Sequence, residues 1–365
     1  MLTVKRVIGV ASLLAVTLLL LFIQYVFVKE NRQPLQLTNN SDEWYYDNPS
    51  TLTYPHDRFK AALFTFVKND TASLTKLRHT IRNIEDQFNK ERGYPYIIFT
   101  DQELSHEYME LASSLTKATV RFEKVDNDFY GYHPETDQDR AAQTRADMSQ
   151  IMFGDSEDYR FQSRFMAGTI YRHPIMQELN FGWRFEAGTE YICPIDQDLF
   201  QYMYENNKTL SFVIALYEYT ETIPTLYETV LDFASQHNEW ITSNQDPDSL
   251  WKFIQDPFTK SFNGCHLWNN FQISNLDFFK SEKYQQYWEY IDSSNGIFYE
   301  RWGDPIIQSL GAVLFLTKKD IQFFDTVGYS VANSFTHCPT NYFKCACRPE
   351  QNFDFNGYSC LRFYF

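Results

Sequence analysis

The stretch that decides the fold reads AALFTFVK at residues 61–68 and YIIFT at residues 96–100, with TASLTKLRHTIRNIEDQFNK at residues 71–90 between them. The two outer segments are short apolar runs, which are typical of buried strands. In the middle segment apolar residues from Leu74 to Phe88 recur at spacings of three and four, which predicts an amphipathic helix. Strand, helix and strand at this spacing predict a βαβ unit, and therefore an α/β fold with a parallel sheet.

Charged residues follow both predicted strands. Lys68 ends the first run and Asp101 follows the second. Ligands of parallel sheets bind at the carboxyl ends of the strands, so these two residues are predicted to lie near a nucleotide site. Solvated loop charges are the alternative for each residue taken singly. The chain has no glycine-rich phosphate loop of the GxGxxG or GxxxxGK type, so the phosphates must be held in another way.

Composition excludes one class of partner and indicates a compartment. The 365 residues carry a formal net charge of -15, so the basic surface of a nucleic-acid-binding protein is missing. The six cysteines all follow residue 190, and an even number in a translocated domain predicts disulfides in an oxidising compartment. Six cysteines allow fifteen pairings, among which the sequence does not choose. No second Cys/His pair stands at zinc spacing from Cys345 and Cys347, which favours bridges over a metal.

The N-terminal region predicts a membrane anchor. Residues 7–28 (VIGVASLLAVTLLLLFIQYVFV) are free of charge and long enough to cross a bilayer, and no small-residue cleavage site follows them. A cleaved signal peptide is the alternative. Residues 1–6 are then a cytoplasmic tail, the polar and proline-containing residues 29–57 a stem, and residues 58–365 a lumenal catalytic domain. Basic residues are nearly balanced across the span, so the orientation rests on the cysteines that follow it.

A second stretch, residues 262–304, contains polar and aromatic groups at a density typical of a binding site. Two of its motifs, CHLWNNFQI at residues 265–273 and ERWGDP at residues 300–305, resemble the fungal Golgi α-1,2-mannosyltransferases of glycosyltransferase family 15. The resemblance runs from about Phe59 to the C-terminus. It implies a GT-A-like (Rossmann-like) mixed sheet flanked by helices, GDP-mannose as the donor and a divalent metal, usually Mn2+. It also implies a type II protein of the Golgi membrane.

The same resemblance assigns a metal ligand. In FGWRFEAG at residues 181–188, Glu186 holds the position of the family's glutamate, although Ala187 stands where proline is usual. A carboxylate at a strand end suits a hard divalent cation that bridges two phosphates. The family also places a metal-binding histidine shortly after the residues that match Gly328 and Tyr329, and this chain has none there. His337 lies further on, beside Cys338, and a structural role is the favoured interpretation for it.

Donor binding is assigned to four residues. Arg160 and Arg164 stand four residues apart, on one face if that segment is helical, and guanidinium groups match phosphate oxygens well. Solvated arginines on a helix surface are the alternative. Tyr132 and Lys68 complete the predicted donor site.

The catalytic candidates come from the two matching motifs. The family's candidate nucleophile is a glutamate where this chain has Gln272, so a carboxylate has become an amide. Asp304 corresponds to a residue of the family's active site, and its position before Pro305 also predicts a helix N-cap. Glu300, from the same motif, is the third candidate.

Acceptor binding is assigned to aromatic and polar residues of the same stretch. Trp268 and Trp302 offer aromatic faces to a sugar, and His266 lies beside the first of them. A catalytic base is one interpretation of His266, and a hydrogen-bonded structural histidine is the other.

The predicted function is therefore the retaining transfer of mannose from GDP-mannose to mannose hydroxyls of glycoprotein N- or O-glycans, in α-1,2 linkage. Two alternatives remain. Gln272 and the missing histidine favour a catalytically weakened relative that binds glycans or a partner Golgi mannosyltransferase. Transfer of mannose phosphate from the same donor is the other.

Overall fold

A computed structural model describes residues 46–332 and 334–365 of the chain. Twelve strands lie in this part. They are Ala61–Phe66 (β1), Tyr96–Thr100 (β2), Val120–Lys124 (β3), Phe181–Phe185 (β4), Thr189–Tyr191 (β5), Leu210–Phe212 (β6), Ala215–Tyr217 (β7), Cys265–Leu267 (β8), Phe271–Asn275 (β9), Ile321–Phe323 (β10), Tyr329–Val331 (β11) and Phe335–His337 (β12).

Seven of these strands form the central sheet, in the order β10, β6, β9, β4, β1, β2, β3. Strands β1, β2 and β3 run parallel, as does β4 on the other side of β1. β9 runs antiparallel to its neighbours β4 and β6, so the sheet is mixed. The predicted βαβ unit and parallel pairing are confirmed. Because the chain builds outward from β1 to β3 and then returns to the opposite side of β1, the strand order reverses between β1 and β4, where open α/β sheets bind ligands.

Twelve α-helical segments accompany the strands in the described residues. They are Thr71–Ile84 (α1), His106–Ser113 (α2), Gln138–Asp147 (α3), Glu157–Ala167 (α4), Pro174–Gln177 (α5), Leu199–Glu205 (α6), Leu226–Gln236 (α7), Trp251–Ile254 (α8), Leu276–Lys280 (α9), Glu282–Ser293 (α10), Gly296–Tyr299 (α11) and Asp304–Phe315 (α12). The predicted helix between β1 and β2 is confirmed. It continues as a π-helical turn, Glu85–Asn89, which carries its last apolar residue, Phe88, into the core.

The side chains of β4 alternate between an apolar face and a face that carries a charged residue. Phe181, Trp183 and Phe185 enter the buried apolar cluster on one face of the sheet. Side chains alternate between faces along a strand, so Arg184 points to the opposite face. The buried residues of α12, among them Ile306 and Leu310, belong to the cluster on that opposite face. A buried cation is thereby placed against the N-terminal end of α12.

Five further strands form two small sheets beside the central one. β12, β11 and β5 pair antiparallel, and β7 pairs with β8. The largely buried run at residues 210–217 is divided between β6 in the central sheet and β7 in a small one. All six cysteines are paired, as predicted, and the pairs are Cys193–Cys345, Cys265–Cys360 and Cys338–Cys347. The first two close loops of 152 and 95 residues and tie the C-terminal segment to the domain.

The second half of the predicted stem packs on the domain. Tyr46 donates a hydrogen bond from its hydroxyl to the carbonyl of Val120 in β3. The side chain of Asn48 bonds both the N–H and the carbonyl of Phe122. Residues 46–57 therefore belong to the folded unit, which within the described residues begins at Tyr46 and not at the predicted residue 58. The predicted anchor, residues 7–28, lies outside the described residues, and within them no helix has the length and apolar character needed to cross a membrane.

Candidate active site

Three elements bring four polar residues together near the switch point of the sheet. Arg184 in β4 lies directly opposite Gln272 in β9. The Arg184 guanidinium donates a hydrogen bond to Asp304 at the start of α12. Its Nη2 atom lies 3.8 Å from Oε2 of Glu186, just beyond the end of β4. Three of the predicted site residues, Gln272, Asp304 and Glu186, are thus linked through an arginine to which the sequence analysis assigned no role.

Asp304 is held from a second side. The side-chain amide of Asn269 donates to Oδ2 of Asp304 at 2.8 Å and to Oε1 of Gln308 at 2.9 Å. Asp304 is the first residue of α12, and the N-cap position belongs to Gly303. The N-cap prediction is therefore wrong by one residue. The carboxylate instead faces Arg184, a geometry that orients it without using the free N–H groups of the helix.

Arg184, Glu186 and Asp304 together carry a net charge of -1 when both carboxylates are ionised. Burial raises the pKa of Glu186, the Arg184 cation opposes that rise, and the Asp304 carboxylate adds to it. Glu186 is also the accessible member, since 31% of its side chain is exposed, whereas the Arg184 and Asp304 side chains are buried. Two carboxylates sharing one guanidinium favour the approach of a further cation near Glu186.

Gln272 is a buried polar residue of β9. It is only 4% exposed, yet its side-chain amide makes no hydrogen bond to any residue of the described chain. The Gln272 amide is not among the solvent-free side-chain atoms of the described residues that lack a partner, so it keeps access to a ligand on its face of the sheet. The amide stands on the face of the sheet that carries Arg184.

The described residues offer few side chains that could coordinate a metal ion. No group of three or more His, Cys, Asp or Glu side chains suited to a metal occurs within residues 46–332 and 334–365. The residues therefore fit a cation for which Glu186 is one oxygen ligand and a phosphorylated substrate and water provide the others, a common arrangement for divalent ions. His337 does not replace the missing histidine. Its Nδ1 lies 2.8 Å from Asp354 and its Nε2 lies 3.1 Å from the carbonyl of Asp325, which confirms its structural role.

A second charged cluster lies at the ends of β1 and β2. The Lys68 ammonium bonds Asp101 at 2.8 Å, pairs with Asp158 and lies 4.5 Å from the ring centre of Tyr130. Burial raises the pKa of Tyr130, and the charges of Asp158, Asp101 and Glu186 raise it further. These charges therefore act on one phenol, so the ends of β1, β2 and β4 border a common region. The predicted position of Lys68 and Asp101 at strand ends is confirmed, and their contact with the donor stays a prediction.

The two arginines predicted to bind the diphosphate form hydrogen bonds and an ion pair within the protein. Arg164 forms a two-pronged ion pair with Asp292, with both N–O distances 2.8 Å. Arg160 donates to the backbone carbonyls of Gly154, Ser156 and Glu300. Burial, with help from neighbouring cations, lowers the pKa of Arg160 to about 10. Both side chains are buried rather than solvated, so the structure contradicts the donor-binding prediction for Arg160 and Arg164.

Of three further predicted site residues, Trp302 is excluded by its burial, whereas Tyr132 and Glu300 are partly exposed and bonded to neighbouring side chains, so their roles stay predictions. The hydroxyl of Tyr132 is used by Glu157 and by Nη1 of Arg145. Both carboxylate oxygens of Glu300 are engaged, one by the Thr225 hydroxyl at 2.7 Å and one by the Trp302 indole N–H at 2.5 Å. Trp302 itself is buried in the core. Glu300 therefore links the start of α7 to the segment that precedes α12. Trp302 has no exposed ring face on which a sugar could pack.

The other two acceptor candidates differ in access. His266 in β8 is buried, and burial lowers its pKa although Glu218 and the Gly264 carbonyl favour the charged form. A neutral imidazole in the interior fits the structural interpretation. Trp268 is only partly buried, and its ring packs 5.1 Å from that of Phe335. Trp268 therefore keeps accessible surface.

Sequence reasoning missed a group of residues beside Asp304. Glu218, which follows β7, accepts a hydrogen bond from Nη2 of Arg301 at 2.9 Å. The Arg301 guanidinium lies 5.3 Å from the ring centre of Tyr159 in α4. The one available signal was the position of Arg301 inside the ERWGDP motif. Its partners lie in distant segments, and no spacing rule connects them.

The sheet and the charged cluster at its switch point define an α/β protein with a candidate ligand site at the carboxyl ends of its parallel strands. The chain belongs to the glycolipid 2-alpha-mannosyltransferase family, whose profile matches residues 27–365. It is 37% identical over 316 residues to glycolipid 2-alpha-mannosyltransferase 2 of Candida albicans, which covers 85% of this chain and 67% of that protein. It is also 37% identical over 327 residues to alpha-1,2 mannosyltransferase KTR1 of Saccharomyces cerevisiae, covering 87% of this chain and 81% of that one.

Solved structures agree in fold. Core-mannan synthase A from Aspergillus fumigatus, in its Mn/GDP form, superposes with a TM-score of 0.79 at 27% identity, covering 88% of this chain and 91% of that one. The mannosyltransferase Ktr4p from S. cerevisiae in complex with GDP gives 0.78 at 28% identity, with 88% and 86% covered. The family resemblance and the mixed α/β sheet are thus confirmed.

Proposed function

We propose that this chain is a GDP-mannose-dependent α-1,2-mannosyltransferase of the GT-A type, acting on mannose hydroxyls of glycoprotein N- or O-glycans. One observation carries the proposal: Gln272, Arg184, Glu186 and Asp304 converge near the switch point of the sheet. The chain belongs to a family of mannosyltransferases, and two similar structures contain GDP.

The accessible carboxylate of Glu186 is the residue that would hold a divalent cation, Mn2+ by analogy with the similar structure. When bound, the cation offsets the charge of the donor's diphosphate. Arg184 keeps Asp304 and Glu186 at a fixed separation, because its guanidinium lies between them. Lys68, at the end of β1, stays a predicted donor-binding residue because of its place at the strand ends, although its ammonium group is paired with Asp101 and Asp158 in this structure.

Gln272 supports a retaining transfer by attack on the same face of the sugar. In that step the bond from the anomeric carbon to the diphosphate oxygen breaks, the bond to the acceptor oxygen forms, and the leaving diphosphate takes the acceptor's proton. A covalent intermediate would need a nucleophilic anion, which an amide does not supply. The unpartnered amide can instead direct its carbonyl dipole at the positive charge that develops on the anomeric carbon.

The cellular setting follows from the same reasoning. Three disulfides support folding in an oxidising compartment. With residues 7–28 as a signal anchor, the domain would lie in the Golgi lumen of a type II membrane protein, where glycan acceptors and other mannosyltransferases are its natural partners.

Turnover of GDP-mannose by the purified lumenal domain tests the proposal. We expect GDP release and a mannoside product enlarged by one hexose, and product mass separates this reaction from mannose phosphate transfer. Absence of turnover with every mannoside acceptor would favour the weakened relative.

Glu186→Gln tests the metal ligand by binding alone, because titration of GDP with and without Mn2+ needs no turnover. An amide is a poorer ligand for a hard cation, so we expect the variant to lose the gain in GDP affinity that Mn2+ confers. Glu190→Gln, an exposed glutamate nearby in β5, is the matched control. Equal Mn2+ gains in wild type and Glu186→Gln would remove Glu186 from the site.

A further inference from the structure

The turn that follows α6 carries a sequence motif that the candidate active site does not use. Residues 207–209 read Asn-Lys-Thr. An asparagine followed by any residue except proline and then by threonine or serine is an acceptor pattern for N-linked glycans. The same pattern occurs at residues 39–41 and 69–71. Such triplets arise often by chance, so the surroundings of each asparagine decide whether it suits a glycan.

The backbone of Asn207 is fixed in a reverse turn. The N–H of Lys208 donates to the carbonyl of Met203 at 2.9 Å, and the N–H of Asn207 donates to the carbonyl of Tyr204 at 3.3 Å. These two bonds form the Schellman motif, in which the residue after the helix cap lies in the left-handed region. The φ of Asn207 is 49°, and asparagine accepts that region more readily than most residues. A capping role is therefore the alternative to a modification site.

The side chains of the motif are free for chemistry. Asn207 is exposed, and its amide makes no hydrogen bond to any residue that the structure describes. Thr209 is partly exposed, and its hydroxyl likewise has no partner within the described chain. Its backbone N–H donates to the carbonyl of Asp320 at 2.7 Å. The backbone is thus held at both ends of the motif, while the amide and the hydroxyl that N-glycosylation requires are unengaged.

A groove beside Asn207 has room for a sugar. Its volume is about 400 Å³, and Asn207, Tyr204 and Phe59 are among the residues that line it. The Tyr204 ring is 40% exposed and lies against that of Phe59, with centroids 5.1 Å apart. Arg58 and Asp277 add charged groups to the same lining. An exposed aromatic ring beside polar groups suits a sugar, which has apolar C–H faces and polar edges.

The groove lies away from the candidate active site. Its lining includes Phe181, the first residue of β4, and Asn275, the last residue of β9. Glu186 and Gln272 lie at the opposite ends of these two antiparallel strands. A glycan on Asn207 therefore leaves the carboxyl ends of the parallel strands open to a ligand.

Asn69 has different surroundings, although it is also exposed. Its side-chain amide donates to the carbonyl of Glu103 at 2.7 Å, and its backbone N–H donates to Oε1 of Gln102 at 2.7 Å. It follows Lys68, at the strand ends where the donor is proposed to bind. A glycan there would replace a hydrogen of an engaged amide and stand beside the candidate site. The motif at residues 39–41 lies outside the described residues.

We propose that Asn207 carries an N-linked glycan whose first sugar lies in the groove against Tyr204, and that Asn69 stays unmodified. The amide nitrogen of Asn207 forms a bond to the anomeric carbon of a lipid-diphosphate-linked oligosaccharide. The bond from that carbon to the diphosphate oxygen breaks, the lipid diphosphate leaves with the electron pair, and the amide releases one proton to the enzyme that performs the transfer. The proposal rests on the proposed lumenal placement of the domain and not on its transferase activity.

Site-specific mass spectrometry of the full chain from a fungal host tests the modification. Enzymatic removal of N-glycans in heavy-oxygen water converts each glycosylated asparagine into a labelled aspartate, so the three motifs are measured separately. We expect label at Asn207 in most molecules and none at Asn69. Thr209→Val should abolish the label at residue 207, and Thr209→Ser should keep it, because the pattern requires a hydroxyl. Thr71→Val, which removes the motif at Asn69, is the matched control and should leave the label at residue 207 unchanged.

The Thr209 variants separate modification from capping. A cap depends on the backbone of Asn207, so an asparagine with that role alone would leave the protein's mass unaffected by Thr209→Val beyond the substitution itself. Asn207→Gly keeps the left-handed backbone and removes the acceptor amide. We expect this variant to fold and to lose the mass of the glycan.

A double-mutant cycle tests the position of the first sugar. Tyr204→Ala should lower the melting temperature of the glycosylated protein by about 1 to 2 °C more than that of the Thr209→Val protein, which lacks the glycan. The contact of Tyr204 with Phe59 is lost in both backgrounds, so it cancels. Equal shifts would overturn the placement of the sugar in the groove.

Unmodified Asn207 in the wild-type chain would overturn the proposal, as would label at Asn69 without label at Asn207. Protection of the domain from added protease in sealed vesicles shows whether the lumenal placement has failed as well. Turnover of GDP-mannose by the same preparation is an independent measurement, and Thr209→Val should keep the wild-type rate because the groove lies away from the site. A glycan at Asn207 without any turnover leaves the modification site standing and contradicts the proposed transferase function.

Discussion

Replacing Arg164 by methionine should destabilise the protein without affecting the donor site. Arg164 and Asp292 come from α4 and α10, and their side chains are 6% and 9% exposed. The two hydrogen bonds between them are both 2.8 Å long. Removing the cation leaves the Asp292 carboxylate in the interior without its partner, and breaking a buried pair in this way costs about 3 to 5 kcal/mol.

That cost converts into a measurable shift. Unfolding entropy is roughly 2.1 cal/mol/K per residue, so a domain of about 320 residues has close to 0.7 kcal/mol/K. The melting temperature of Arg164→Met should therefore fall by about 4 to 7 °C. GDP affinity at a temperature where the variant is folded should match wild type, because the guanidinium is directed at Asp292.

Calorimetry and GDP titration together provide the assay. The double variant Arg164→Met/Asp292→Leu should recover most of the loss, since an apolar pair of similar volume has no buried charge. Arg82→Met, which breaks the exposed pair with Asp86, is the control and should shift the melting temperature by less than about 1 °C. A variant of Arg164 that keeps its melting temperature but loses GDP binding would refute this reasoning and restore the phosphate role.

Three further predictions concern catalysis, pH and the domain boundary. Gln272→Ala should lower turnover roughly ten- to a thousandfold, the scale expected for loss of one preorganised electrostatic group, while Gln272→Glu should preserve or raise turnover. Equal rates for wild type and Gln272→Ala would show that the amide has no part in the mechanism. Burial alone would lower the pKa of His337, but the hydrogen bond and charge of Asp354 raise it above its ordinary value of about 6.5. The stability that His337 contributes should therefore be complete below about pH 6.5 and disappear as the pH rises through the folded-state pKa. The difference in melting temperature between wild type and His337→Gln should shrink from pH 6 to pH 9. A constant difference would contradict this prediction. A chain that begins at residue 46 should melt higher than one that begins at residue 58, because only the former keeps the hydrogen bonds to β3, and identical melting curves would restore the stem boundary.

Features that depend on nearby residues followed from the sequence. The continuous apolar runs and the helical period within residues 61–100 predicted β1, α1 and β2, because both patterns are properties of consecutive side chains. The charges at the strand ends were placed correctly for the same reason. The oxidised state of the cysteines followed from their even number and the predicted translocation, whereas their pairing did not, because it joins positions up to 152 residues apart.

The tertiary structure alone decided what each charged side chain does. Arg160 and Arg164 satisfy the local rule for a phosphate site, but the rule does not include Asp292, which arrives from a helix 128 residues further along the chain and neutralises Arg164. Glu300 and Trp302 matched a catalytic motif, and the fold turned them toward each other. Conversely, Arg184 and Glu218 carried no local signal. Whether a guanidinium or carboxylate is available to a ligand depends on the partners that folding gives it, and no spacing in the sequence specifies those long-range neighbours.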